Sequence, residues 1–132
     1  MKTENKGKLA IEVTDDKNRV IFHPVNGSVW MNRNELCQLF GCYMKDIDRC
    51  IGEIFEKDML QVEENGKYHI VAGGSRISYD ITEVNLKVVV TMVFRLGTPE
   101  ARLLREWFIE RLSKIKCLEV VFSDIGERFL LN

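Results

Sequence analysis

Apolar and polar residues alternate over Leu9-Ala10-Ile11-Glu12-Val13. Strand character resumes at Arg19-Val20-Ile21-Phe22 beyond the polar cluster Asp15-Asp16-Lys17-Asn18. Two such runs flanking a turn cluster predict a β-hairpin. Pro24 and Asn26-Gly27 break the run before a short apolar piece at Val29-Trp30-Met31. The period then lengthens. Asn32 followed three residues later by Glu35 has the form of a capping box. It predicts a helix over Arg33–Phe40, with Leu36, Leu39 and Phe40 on one face and Gly41 where a positive φ is required. A second helix is expected from Met44 to about Lys57, with Ile47, Cys50, Ile51, Ile54 and Phe55 at three- and four-residue spacing. Gly52 weakens it by about 1 kcal/mol relative to Ala.

Strand character returns between Met59 and Asp80. Glu64-Asn65-Gly66-Lys67 predicts a hairpin turn between Leu60-Gln61-Val62 and Tyr68–Val71. Gly73-Gly74 predicts a further turn before Arg76-Ile77-Ser78-Tyr79. Thr82 is expected to cap a helix carrying Val84, Leu86, Val88, Val89, Met92, Val93 and Leu96, ended by Gly97. Thr98-Pro99-Glu100 supplies a cap, a first-turn proline and an early acid for a last helix reaching about Lys116. Its apolar stripe is Leu103, Leu104, Trp107, Phe108, Leu112 and Ile115. The tail holds an expected strand at Glu119–Phe122 and a short amphipathic end. The expected architecture is α+β in one domain spanning residues 1–132. A hairpin and a winged helix-turn-helix-like part occupy 9–81, and an antiparallel helix pair with a tail occupies 82–132.

The composition fits an ordinary globule of 132 residues, with 45% hydrophobic and 30% charged residues. A net charge of −1 excludes a globally basic nucleic-acid binder and leaves room for a local basic patch. No apolar run approaches the roughly eighteen residues that span a bilayer. The polar start Met1–Lys8 has no apolar signal-peptide core behind it, so a cytoplasmic protein is expected. Cys37, Cys42, Cys50 and Cys117 are not spaced as the paired cysteines of a zinc knuckle, and free thiols packed in the interior are expected. His23 and His69 have no metal-ligating neighbours at useful spacing. Nucleophile-elbow, phosphate-loop and zinc-protease patterns are missing, and no Cys has a suitably placed His. Asp46 and Asp48 lie two apart, so they point in different directions on a helix. Gly73-Gly74-Ser75 is too short to cradle a nucleotide without a following helix. No enzyme, cofactor, metal or small-molecule substrate is expected.

The segment Arg33–Gly52 carries the most information. Cys37 is a small residue in mid-helix, Gly41 follows four later at the turn, and Ile47 with Cys50 or Ile51 supplies the inner face of the second helix. This spacing suits a helix-turn-helix, and a generic short helical hairpin with a glycine turn is the alternative that mimics it. In a DNA reader, Tyr43, Met44, Lys45, Asp48, Arg49 and Gly52 would face the major groove. Charge complicates that picture. Residues 31–60 hold four basic against six acidic side chains, a net of −2, whereas residues 91–116 hold six against three, a net of +3. Phosphate neutralisation drives sequence-independent DNA affinity, so the second helix is a poor electrostatic anchor. Arg95, Arg102 and Arg105 either form a phosphate-binding face near the helix pair or belong to a solvated helix paired with Glu106 and Glu110. Trp30 and Trp107 are expected as core anchors.

The run Val29–Gly41 (VWMNRNELCQLFG), then Ile47–Glu56 (IDRCIGEIFE), Tyr79-Asp80-Ile81, Phe94-Arg95-Leu96 and Arg105-Glu106-Trp107-Phe108, resembles the RhuM family of bacterial virulence-associated and phage-related proteins in order and spacing. The likeness spans roughly Leu9 to Lys114. It implies an N-terminal DNA-binding-like domain. Where that family starts its second helix with polar, often Ser/Thr-rich residues, this chain has Met44-Lys45-Asp46-Ile47-Asp48. The expected partner is therefore double-stranded DNA, contacted in a regulatory, transcription-factor-like role. The other reading is a protein-interaction or dimerisation module of the same fold. A homodimer is expected through the apolar helices at 83–96 and 99–116 or the tail Phe129-Leu130-Leu131, unless the hairpins cover those faces within one chain.

Overall fold

A computed structural model describes residues 5–57, 59–74 and 76–114. The chain opens with an antiparallel hairpin, β1 (Lys8–Thr14) and β2 (Lys17–His23). Asp15 and Asp16 turn it with φ of 50° and 62°. Two left-handed residues match the twist of the strands, so the turn takes two residues and Lys17-Asn18 already belong to β2. Next come β3 (Trp30–Asn32), α1 (Arg33–Phe40), α2 (Met44–Glu56), a single turn α3 (Val62–Asn65), β4 (Gly66–Gly73), β5 (Arg76–Asn85), α4 (Leu86–Val93) and α5 (Pro99–Ser113). The last three strands form a second antiparallel sheet in the order β3-β5-β4. The fold is thus mixed α+β, with two small antiparallel sheets and five helices among the described residues.

The capping box forms as the sequence predicts. The Glu35 amide donates to Asn32 Oδ1 at 2.8 Å, and the Asn32 amide donates back to Glu35 Oε1 at 3.0 Å. Gly41 ends α1 with φ 62° and ψ 40°. A β-carbon at Gly41 would also meet the Glu100 carboxyl group of α5, a flexible side-chain end that can move aside, so the left-handed φ is what calls for glycine. Ile47, Cys50, Ile51 and Ile54 of α2 are buried, as are Leu36, Leu39 and Phe40 of α1. Cys37, expected deep in the crossing, is only half-buried, because the larger neighbours at 36, 39 and 40 take the inner face.

Two expectations fail, both at the start of a hairpin or helix. Residues 62–65 form a helical turn where a strand and then a hairpin turn were predicted. Asn65 is 4% exposed, and its side chain donates to the Gln61 carbonyl at 2.8 Å while its Oδ1 accepts from Asn85 Nδ2 at 3.0 Å. A buried amide with both ends bonded cannot sit at a solvated hairpin tip. The hairpin that does form is β4–β5, about the expected Gly73-Gly74 turn, with Gly74 at φ 63°. The second failure is the start of α4. Thr82, expected as its cap, and Val84, expected inside it, lie in β5, where Val84 pairs with both Met31 and Gly66. Asn85 caps the helix, accepting from the Val88 amide at 3.3 Å.

One hydrophobic core joins these pieces. Val88, Val89, Met92 and Val93 of α4 are fully buried beside Ile47, Ile54, Val29, Val84 and Leu104. The apolar faces of α4 are therefore covered within the chain, which removes them as a reason for a dimer. Phe94 stays half exposed, and Ile109 and Leu112 stay exposed on α5. The tail 115–132, with Cys117 and Phe129-Leu130-Leu131, lies outside the described residues. The first hairpin closes on α5, where Phe22 meets Trp107 and Phe108 edge-on at 5.8 and 6.1 Å. Trp107 and Trp30 are half-buried, each under a cation: Arg111 at 5.1 Å and Lys67 at 4.8 Å.

Glu83 of β5 is the charged hub. It pairs with Lys6 and, at 3.3 Å, with Lys67, and Lys6 also bonds Glu35 of the capping box at 3.0 Å. Burial works to raise the Glu83 pKa, but hydrogen bonds from Lys6 and Lys67 outweigh it and hold the carboxyl below its ordinary value. A depressed carboxylate contributes stability above its unfolded pKa, and that contribution is lost as pH falls through the folded value. Glu83→Gln is expected to cost about 1–2 kcal/mol at neutral pH and to flatten the acid limb below the ordinary glutamate range. Urea midpoints measured against pH check this. An unchanged acid limb would place the acid sensitivity elsewhere.

Candidate nucleic-acid interface

The outward face of α2 is set by its own periodicity. Ile47, Cys50, Ile51 and Ile54 point inward, so Lys45, Asp48, Arg49, Gly52 and Glu56 are left as an exposed ridge. Tyr43, the N-cap residue, makes no side-chain capping bond and stands 77% exposed at the head of the ridge. Met44 is half-buried and turns toward the start of α1. No heavy atom lies within 4 Å of where a β-carbon on Gly52 would stand, so the α2 backbone is open to close approach at mid-ridge.

A groove flanks the ridge on each side. On one side, α2 and β5 enclose about 440 Å³, with Ile51, Phe55, Val62, Tyr79 and Ile81 among the apolar lining. Arg33 spans its mouth, 3.5 Å from Asp48 on α2 and 3.6 Å from Asp80 on β5. On the other side, the corner after α4 closes on α2 through Arg95, which bonds Glu53 at 2.7 Å. That bond holds the Glu53 carboxyl below its ordinary pKa, and Arg95 correspondingly above its own.

The eight residues expected to contact DNA therefore divide. Tyr43, Lys45, Asp48 and Arg49 share the exposed ridge of α2, with Met44 at its base. Lys45 has no ion pair among the described residues, and Arg49 has only a 4.0 Å contact with Asp46. Arg95 is tied to Glu53 at the ridge's margin. Arg105 is elsewhere: its Nη1 donates to the carbonyls of Val93 and Leu96, both at 2.7 Å, and so caps the C-terminus of α4. Arg102 is exposed on α5, without an ion pair among the described residues. The three arginines thus differ in what holds them: Arg95 is paired with Glu53, Arg105 is bonded to the α4 carbonyls, and Arg102 is exposed. The patterning did not single out Arg33 and Asp80. One signal was present, since an arginine in the first turn of a helix opposes the dipole and calls for nearby acids.

Cys37, Cys42 and Cys50, the thiols among the described residues, are held as unreactive groups. Burial pushes Cys42 up to about 11, with Cys37, Asp46, Cys50 and Glu100 adding to the rise. Burial likewise raises Cys37 and Cys50. All three are protonated at neutral pH and are weak nucleophiles. Among the described residues no group of three His, Cys, Asp or Glu side chains is placed to hold a metal ion. Likewise, no helix among them is long and apolar enough to cross a membrane. Protein-family models, curated proteins and solved structures yield no match to this chain.

The division of the arginines is measurable. Arg105→Ala removes a charged cap from buried carbonyls and is expected to cost about 1–3 kcal/mol. Arg102→Ala is expected to stay within about 0.5 kcal/mol of the parent. Urea denaturation of the two variants separates them, and equal losses would contradict these assignments.

Proposed function

We propose that the chain is a DNA-binding domain of the winged helix-turn-helix kind, working as a regulator in the cytoplasm, with α2 as its reading helix and β4–β5 as its wing. One observation carries this reading. The order β3-α1-α2-α3-β4-β5, with β3 paired to β5 and α3 a single turn, stands a hairpin beside the exposed ridge of a helix that follows a glycine turn. A reading helix needs one packed face and one open polar face, and α2 has both. Tyr43, Lys45 and Arg49 are the open groups able to reach bases or phosphates, and bare Gly52 lets a backbone come close. The likeness to the RhuM family agrees with this reading and is part of the proposal. No catalytic role is included.

Charge sets the expected strength. With Lys45 and Arg49 as the two exposed cations of the ridge, a fourfold rise in salt costs roughly tenfold in affinity. Such a binder is weak without base contacts or a second copy. The acids around the groove (Asp48, Glu56 and Asp80) favour a second reading, a protein-interaction module that takes a basic, apolar segment beside Arg33. The two readings differ in their response to salt and to duplex DNA.

Lys45→Ala with Arg49→Ala is expected to weaken binding to duplex DNA and to reduce the salt slope by about two. Fluorescence anisotropy at two ionic strengths reads this, and an unchanged slope would remove α2 from the interface. Asp48→Asn with Asp80→Asn acts in the opposite direction. It removes two phosphate-repelling charges and frees Arg33, so affinity should rise several-fold and the slope steepen by about one. The pairs it breaks are partly exposed and worth little to stability. A double variant that binds DNA no better than the parent would favour the protein-interaction reading.

A further inference from the structure

Sheet edges are templates for further strands, and most edges in this molecule are blunted. β3 is three residues long. The hairpin β1–β2 carries Glu12, Lys17 and Arg19 within its strands. The outer edge of β4 is different. Among the described residues β4 pairs only with β5. Its run Tyr68-His69-Ile70-Val71-Ala72 contains no Lys, Arg, Asp, Glu or Pro, and the register irregularity lies before it, between Lys67 and Tyr68. Ile70 is 64% exposed, Val71 48%, and Tyr79, opposite Ile70 on β5, 51%.

We propose that this edge pairs with the same edge of a second copy, β4 against β4 and antiparallel, with the two-fold axis at Ile70. The run is self-complementary about that residue. Tyr68 then faces Ala72 of the other copy, a large side chain against a small one. His69 faces Val71, and Ile70 faces Ile70. Lys67 falls opposite Gly73, so the charges at the ends do not meet. Shifting the axis one residue to His69 places Lys67 against Val71 and stacks the two imidazoles. The Ile70 register therefore wins on both packing and charge.

The same register joins the apolar faces. Tyr68, Ile70, Tyr79 and Ile81 lie on one face of the β4–β5 pair, with the Tyr68 and Tyr79 rings edge-on at 4.9 Å. Pairing at Ile70 extends this into a row of Tyr79, Ile70, Ile70 and Tyr79 across four strands. Two three-stranded sheets become one of six strands. An isologous interface of this kind is what a two-fold pair requires. A single strand pair is smaller than a standard interface, so the association is weak and concentration-dependent. It stands whether or not the chain binds DNA.

Sedimentation velocity of the full chain over a roughly hundredfold concentration range tests it by mass action. The parent should move from 15.3 kDa toward twice that mass. Ile70→Lys and Ile70→Asp each place like charges on the axis and should each remain at 15.3 kDa, with a melt that matches the parent's at the dilute end of the range, where the parent too is monomeric and the side chain is exposed. Mixed in equal amounts, the two variants should regain the dimer, which only the Ile70-to-Ile70 register explains. A parent that stays monomeric throughout overturns the proposal and leaves the edge to another occupant, such as residues 115–132. A dimer that survives in Ile70→Lys moves the interface elsewhere, to exposed Ile109 and Leu112 on α5, and equally overturns it.

Discussion

Everything in this molecule is arranged around a two-turn helix that cannot face water. α4 is the sequence Leu-Lys-Val-Val-Val-Thr-Met-Val, and four of its side chains have no measurable exposure. A helix apolar on most sides must be enclosed on most sides. α2 and α5 pack on it, β5 runs directly into it, and Leu104 of α5 lies in the same buried cluster. Enclosure creates a polar problem at both ends, because in eight residues about half of the helix's backbone groups lack internal partners. Asn85 meets it at the N-terminus and is held by Asn65, which in turn is held by the Gln61 carbonyl. Arg105 meets it at the C-terminus. These polar groups, Asn65 buried and the others partly so, are costly to leave unbonded, and they help fix where α3, β5 and α5 sit.

The orientation of α2 follows from the same enclosure. Its inner face is committed to α1 and α4, and Arg95, just past the end of α4, grips Glu53 from the side. What remains outward is the ridge from Tyr43 to Glu56. Its charges are local matters of exposed pairs, each worth little to stability. The ridge is therefore free to vary in charge without unfolding the protein, and the acids of the groove beside it contribute little to folding.

Local features were legible in the chain because their causes lie within a few residues. The Asn32–Glu35 box spans three residues, and Thr98-Pro99 sets the start of α5 with the Ala101 amide on Thr98 Oγ1 at 3.2 Å. The bounds of α1 and the start of α2 came from such signals, as did the inward set Ile47, Cys50, Ile51 and Ile54. So did the exposure of Lys45 and Arg49, which is the complement of that inward set.

Other features belonged to the tertiary structure, because their partners are remote in sequence. Residues 82–85 fit a helical period as well as a strand, and pairing with Met31 and Gly66 decided for the strand. Asn65-Gly66 has the form of a hairpin tip, yet Asn85, twenty residues away, draws the amide inside. Arg105 on a helix surface reads as solvated, and only the end of α4 beneath it turns it inward. Arg33 and Asp80 come together because β5 lies beside α2, a proximity no periodicity encodes. Spacing along the chain determines which face of an element is apolar. Which carbonyls, acids and edges meet that face is decided when the elements pack.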